Sequence, residues 1–273
     1  MTDNMFRWDR TDDGIVTLTM DDPNAPVNTM NQTFQDDVRA TVEKLEQELA
    51  DGGEGGIKGI ILTSAKKTFF AGGDIKQMSQ VGPEDAQSMF DMVQHMKESL
   101  RRIEKLPVPV VAAINGAALG GGLEVALAAN HRIAADARGS KIGLPEVTLG
   151  LLPGGGGITR VVRMIGIQDA LMNVILTGAQ MNPGKALKVG LVDGVVAPDE
   201  LLPEAKRWVA EVAEKSPTAL AYLKQSFNAD TDHQAGLSNM AMTALDLFLQ
   251  TDEAKEGAAA FAEKRPADFT RFV

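Results

Sequence analysis

With 273 residues, the chain is long enough to bury a substantial core in one large domain or two ordinary ones. Its hydrophobic share of 44% and charged share of 23% are those of a soluble globular protein, and a net charge of −10 argues against nucleic acid or an anionic membrane as the main partner. The lack of cysteine excludes disulfides, thiolate nucleophiles and cysteine-bound metals.

Met1 to Asp13 is polar and acid-rich, with none of the features of a signal or transit peptide. No segment has the roughly 20 uninterrupted apolar residues of a membrane helix, so a cytoplasmic protein is expected. Ile15–Met20 alternates like a strand, and turn residues from Asp21 to Pro26 close it. Asn31 to Leu49 carries apolar residues at a helical spacing, and Asp51 to Gly56 is a surface connection. Ile57–Thr63 reads as a buried strand, Phe69–Ile75 as a glycine loop, and Pro83 to Leu106 as a helix. Lys66 and Lys67 are read as a charged surface turn rather than a phosphate site.

Val108 to Ile114 is an apolar run interrupted only by Pro109, too short for a long helix, and predicts another buried strand. Gly116, Gly120, Gly121 and Gly122 follow, then a helical segment from Leu123 to Ala129. A glycine cluster there lets a ligand approach the backbone. It also leaves N–H groups of the helix's first turn pointing outward at the positive end of the dipole. Such a place suits an oxygen that gains negative charge in a reaction. Glu124 is the lone acid in this apolar segment; the bland alternative is a solvated acid in a first helical turn.

Beyond it, His131–Ala135 is a short strand, and Leu144-Pro-Glu-Val147 leads to Pro153 and the glycines Gly154 to Gly157. Ile158–Ile165, Gln168–Leu176 and Pro183–Val189 have helical patterns, and Leu191–Val196 looks like a strand. From Asp199 the chain reads as helical, with a break near Ser216-Pro217 and a loop at Asn228–Asp232. Strand–helix alternation followed by helices predicts an α/β core over residues 1–198 and a helical region over 199–273. His95, His131 and His233 share no metal-ligand spacing and are read as structural, and no metal site is expected.

Three motifs together resemble the crotonase (enoyl-CoA hydratase/isomerase) superfamily. They are Phe70-Ala-Gly-Gly-Asp-Ile-Lys76, Asn115-Gly-Ala-Ala-Leu-Gly-Gly-Gly-Leu-Glu124, and Leu144-Pro-Glu146 followed by Leu152-Pro-Gly-Gly-Gly-Gly157. Residues 1–208 are most similar to the hydratase domain of bacterial multifunctional fatty-acid oxidation enzymes. The tail, with Ser216-Pro-Thr-Ala-Leu220 and Lys264-Arg-Pro-Ala-Asp-Phe269, instead resembles single-domain crotonases and naphthoate synthases. That change of resemblance fits either a stand-alone paralogue or a joining of two families.

The resemblance implies the crotonase spiral of ββα units with a helical C-terminal trimerisation region, and a homotrimer or dimer of trimers. It implies an acyl-CoA thioester substrate, with no cofactor beyond the coenzyme A that the substrate carries. Glu124 and Glu146 match the two family glutamates, and Ala71 and Gly121 are expected to give the oxyanion-hole N–H groups. Gly72, Gly73, Asp74 and Gly154 are placed at the substrate, with Asp74 read as a helix cap and the Gly154 N–H as an orienting group for water. The expected reaction is addition of water to trans-2-enoyl-CoA, giving (3S)-3-hydroxyacyl-CoA. The alternatives are Δ3–Δ2-enoyl-CoA isomerisation, a naphthoate-synthase-like ring closure, and a catalytically idle scaffold.

Overall fold

The computed structural model describes residues 4–52, 56–73, 85–229, 231 and 251–270. Six strands form the main sheet: β1 (Phe6–Arg10), β2 (Ile15–Met20), β3 (Gly59–Ser64), β4 (Val110–Ile114), β6 (His131–Ala135) and β8 (Gly194–Val196), in the order β1-β2-β3-β4-β6-β8. Only the β1–β2 hairpin is antiparallel; every later neighbour is parallel. A second, two-stranded sheet pairs β5 (Ala118–Leu119) with β7 (Ile142–Gly143).

Parallel strands read as continuous apolar runs because both faces of the sheet are covered. Side chains alternate between those faces. Val16, Leu18, Ile60, Leu62, Val110, Ala112 and Ile114 therefore enter the main core. Ile15, Ile61, Val111, Ala113, Ile133 and Ala135 face the other way, onto Leu201, Ala205 and Val209 of helix α6 (Leu201–Ala213). The start of the 199–273 region thus seals the back of the sheet.

Across the main core lie α1 (Gln32–Asp51) and α2 (Ala86–Lys105). The carboxamide of Asn31 caps α1 by accepting from Phe34 N at 2.9 Å. Further along come α3 (Gly121–Leu127), a 3₁₀ turn (Glu146–Leu149), α4 (Gly157–Ala170) and a π turn (Leu171–Ile175). Gly166 leaves helical geometry inside α4, with φ 79° and ψ 161°, so the rod breaks between the two segments that the apolar spacing predicts. Three further helices are described: α5 (Pro183–Val189), α7 (Pro217–Ala229) and α8 (Asp252–Ala262). Among the described residues, no helix is long and apolar enough to cross a membrane.

The strand at Phe6–Arg10 was not expected from the sequence, where this segment reads only as polar and acid-rich. Pairing with β2 at the sheet's edge imposes it, and most of its side chains remain outside the core. His131 is stacked on Trp208 with ring centroids 4.4 Å apart, a structural role as expected. His233 lies outside the described residues.

Candidate active site

The first glycine loop runs between two neighbours. On one flank Phe70 N donates to Ala117 O at 3.1 Å, and Leu119 N donates to Phe70 O at 3.3 Å. On the other, Ala71 N donates to Asn28 O and Met30 N to Gly72 O, each at 2.9 Å. The Ala71 N–H is therefore engaged with Asn28, which corrects its expected place as an oxyanion donor. Motif matching located the loop but not the direction of each peptide.

Gly72 has φ +98°, a left-handed conformation that turns the next peptide over. In a trans peptide, the C=O and the following N–H point in opposite directions. Since the Gly72 carbonyl faces Met30, the Gly73 N–H faces away from that segment, towards the flank where Leu119 and Gly121 lie. A Cβ added at Gly72 would sit 2.8 Å from Leu119 O and 3.7 Å from Gly121 N. Asp74 lies outside the described residues.

Asn28, not expected from the sequence, fixes this arrangement. It is fully buried, and its carboxamide donates to Met20 O (3.3 Å), Ser64 Oγ (2.9 Å) and Phe69 O (3.2 Å) while accepting from Asp22 N (3.0 Å). The ends of β2 and β3 and the first loop are thereby tied to one side chain. Lys66 is held nearby by Asp21 at 2.8 Å and donates to Asp22 O at 2.7 Å, so this lysine is occupied by the turn that follows β2.

The second glycine turn opens α3. Gly120 has φ +55°, and a Cβ there would lie 2.8 Å from Glu146 Oε1. A Cβ at Gly122 would overlap Phe70 O, so glycine is needed where the two loops cross. Gly121 is the first residue of α3, where an N–H has no acceptor within the helix.

Glu124 points inward from α3 and is 2% exposed, which removes the solvated-acid alternative. Its Oε1 accepts from Gly157 N at 2.7 Å, and Gly155 N–H is a second backbone donor to the carboxylate. Cβ atoms at Gly155 and Gly157 would each lie 2.9 Å from a Glu124 oxygen. Gly155 and Gly157 are the members of this turn that lie against the acid.

Glu146 starts the 3₁₀ turn after β7, and its buried Oε2 has no hydrogen-bond partner among the described residues. Burial first, and the neighbouring Glu124 charge second, push its pKa up to about 8. Burial also raises the pKa of Glu124, while the Gly157 and Gly155 N–H groups and the Arg160 charge oppose the rise. Two acids this close disfavour double ionisation. Backbone N–H groups of Gly157 and Gly155 favour the charged form of Glu124, whereas Glu146 has only the weaker help of its own backbone N–H. Burial thus raises both carboxyls and their mutual repulsion favours a single charge on the pair, with the backbone N–H groups and the Arg160 charge acting on Glu124.

The comparisons with known proteins agree with this architecture. The family model described as enoyl-CoA hydratase/isomerase matches residues 10–271. The fatty acid oxidation complex subunit alpha of Shewanella loihica is 44% identical over 205 residues, covering 74% of this chain and 28% of that protein. The subunit of the same name from Aliivibrio fischeri is 42% identical over 193 residues, covering 70% and 27%. The chain therefore spans little more than a quarter of the length of these relatives. A solved enoyl-CoA hydratase from Bacillus anthracis is 29% identical, with a TM-score of 0.73 and coverage of 97% of this chain and 98% of that one. A human mitochondrial delta3-delta2-enoyl-CoA isomerase shares the fold, with a TM-score of 0.82 at 24% identity over 95% and 97% of the two chains. The chain has the crotonase fold and belongs to the enoyl-CoA hydratase/isomerase family.

Proposed function

We propose that the protein adds water to trans-2-enoyl-CoA thioesters to give 3-hydroxyacyl-CoA. The observation that carries this reading is the contrast within the acid pair: Glu124 is held by a backbone N–H, while Glu146 has a buried oxygen without a partner among the described residues. Glu124 takes a proton from water as the water oxygen bonds to C3. The electron pair of the C2–C3 double bond moves towards the thioester, and its oxygen becomes negative. Gly121 N–H and Gly73 N–H are proposed to receive that oxygen, with Gly73 replacing the engaged Ala71. Each such donor typically contributes ~10²–10³ in rate. Glu146 then gives its proton to C2, and positioned acids and bases of this kind contribute roughly 10²–10⁴ each.

These steps require no cofactor beyond the substrate's own coenzyme A, and a cytoplasmic location accompanies the reading. The test is incubation with crotonyl-CoA, with product mass and chirality determined. (3S)-3-hydroxybutyryl-CoA supports hydration, and no turnover would move the idle-scaffold and ring-closure readings ahead.

Δ3–Δ2-enoyl-CoA isomerisation is the second reading. It moves one proton between C2 and C4, work that a single group can do, and Glu146 has the oxygen without a partner among the described residues. We also propose assembly as a trimer or dimer of trimers. On α7, Tyr222, Leu223 and Phe227 are each about two-thirds exposed, and near α4 Ile167, Met172 and Leu176 are open as well. Surfaces of this kind favour burial against a neighbour. Light scattering checks the assembly, and a strictly monomeric active protein overturns it. Further apolar positions of the tail, Leu237, Met240, Ala244, Leu245, Leu247 and Phe248, lie outside the described residues.

A further inference from the structure

Arg160 has no part in the proposed proton transfers, yet it is a buried cation behind the turn that holds Glu124. Its Nη1 donates to Gly155 O at 2.8 Å. A Cβ at Gly156, where φ is +96°, would lie 2.6 Å from the same nitrogen, so the guanidinium packs directly against the turn. The front of that turn holds Glu124 through Gly157 N. Behind it, Arg160 Nε and Nη2 reach Glu104 Oε2 at 3.3 and 3.1 Å. Arg101 donates to the same oxygen at 2.8 Å and also to Asn228 at the end of α7. Burial would raise the pKa of Glu104, but the two guanidiniums hold it below the ordinary carboxylate range.

We propose that Arg160, seated by Glu104, is a positioning residue that keeps Glu124 the ionised member of the acid pair. It does so by fixing the Gly155–Gly157 turn and by placing a positive charge behind it. The proposal rests on the two-acid reading above.

The charged surroundings make its sign testable. Glu124 faces Glu146 and Arg160; β4 and β5, which pack against α3, bring no charge, and neither do the described residues of the first loop, Phe69 to Gly73. From α2, Glu104 pairs with Arg160, Arg101 shares that carboxylate, and the Lys97 charge opposes that of Arg160. Removing the Arg160 charge makes the Glu124 carboxylate harder to form, so the acidic limb of the pH–rate profile moves to higher pH. Removing the Glu104 charge leaves Arg160 unopposed and moves that limb to lower pH. A residue that merely stabilised the fold would give no such opposition.

The experiment compares parent, Arg160→Met, Arg160→Lys and Glu104→Gln as intact chains. It follows kcat/KM for crotonyl-CoA from pH 5 to 9 and titrates the glutamate carboxylates by carbon-13 NMR, a readout independent of turnover. Arg160→Met should lower the pH 6 to pH 8 activity ratio about tenfold, the size expected when one opposing charge is lost. Arg160→Lys should recover part of that ratio, and Glu104→Gln should raise the ratio above the parent's. The NMR titration should shift in the same opposed directions. If Arg160→Met does not fold, the Glu104→Gln and Arg160→Lys shifts decide. Shifts in one common direction, or none in folded protein, overturn the proposal. An inactive parent whose carboxylates still shift oppositely sinks the hydratase reading and leaves this one standing.

Discussion

The two glycine turns before α3 and α4 look alike in sequence, yet they need glycine for different reasons. At Gly122 the obstacle is backbone: a Cβ would overlap Phe70 O, which belongs to the other loop of the site. At Gly155 and Gly157 the obstacle is a functional side chain, the Glu124 carboxylate 2.9 Å away. The first turn brings two main-chain segments together and leaves the Gly121 N–H without an acceptor inside its own helix. The second turn surrounds an acid and uses its N–H groups to stabilise charge already present. A run of glycines thus reports close approach without saying what approaches.

The sharpest break in that comparison is Gly122→Ala. A carbonyl of the crossing loop cannot rotate aside as a side chain can, so a cost of ~3 kcal/mol or more is expected. Thermal denaturation should show a Tm lower by roughly 10 °C. A change under about 2 °C would mean the loops separate readily.

Next in size are the acids themselves. Glu124→Gln and Glu146→Gln should each cut hydration of crotonyl-CoA by ~10²-fold or more while remaining folded, because each loses a proton-transfer group. Truncation divides their duties. Glu124→Ala should lose hydration but keep part of the 3-enoyl to 2-enoyl conversion, whereas Glu146→Ala should lose both. Separate assays on the two substrates check this, and equal loss of both activities in Glu124→Ala would show that the assigned roles are wrong.

Gly157→Ala probes the second turn. The added methyl meets Glu124 Oε1 at 2.9 Å and Leu144 Cδ1 at 3.2 Å, contacts that a side chain can relieve by shifting. Hydration should fall about tenfold through a misplaced carboxylate, with Tm within about 2 °C of the parent. A large Tm loss would place this turn in the same class as Gly122.

The last effect is a gain in stability. Below the ordinary carboxylate pKa of 4.5, Glu146 is protonated in both folded and unfolded chains. Between there and about 8 the unfolded chain releases a proton that the folded one keeps, so stability falls as pH rises. Glu146→Gln removes that penalty, so its Tm should exceed the parent's at pH 8 and the gap should shrink as pH falls. At pH 4 the two proteins should melt together.

Much of the fold was legible because its signals are local. His131–Ala135 and Pro183–Val189 match their predicted bounds, and the latter carries its own cap, Asn182 accepting from Lys185 N. The acids were legible as members of three linked motifs. What escaped depends on partners distant in sequence. Phe6–Arg10 is a strand because β2 pairs with it, and the two-residue strands β5 and β7 are too short to show a period. The Ala71 assignment failed because the direction of an N–H is set by Asn28, and motif residues carry no record of peptide rotation. Asn28 and Arg160 act through neighbours, so neither has a chemical signature of its own.

The Arg101–Asn228 contact joins residues 127 positions apart, and the sheet behind it is built from parallel neighbours. Long-range closures of this kind slow folding. The turn around Glu124 is backed by a chain of contacts that ends in α7, so it cannot be completed until most of the polypeptide has been synthesised. A growing chain will acquire helical signal well before it acquires a finished acid pair. In refolding from denaturant, recovery of turnover should therefore lag behind recovery of far-ultraviolet ellipticity, and the intervening species will carry the exposed apolar surface that invites aggregation.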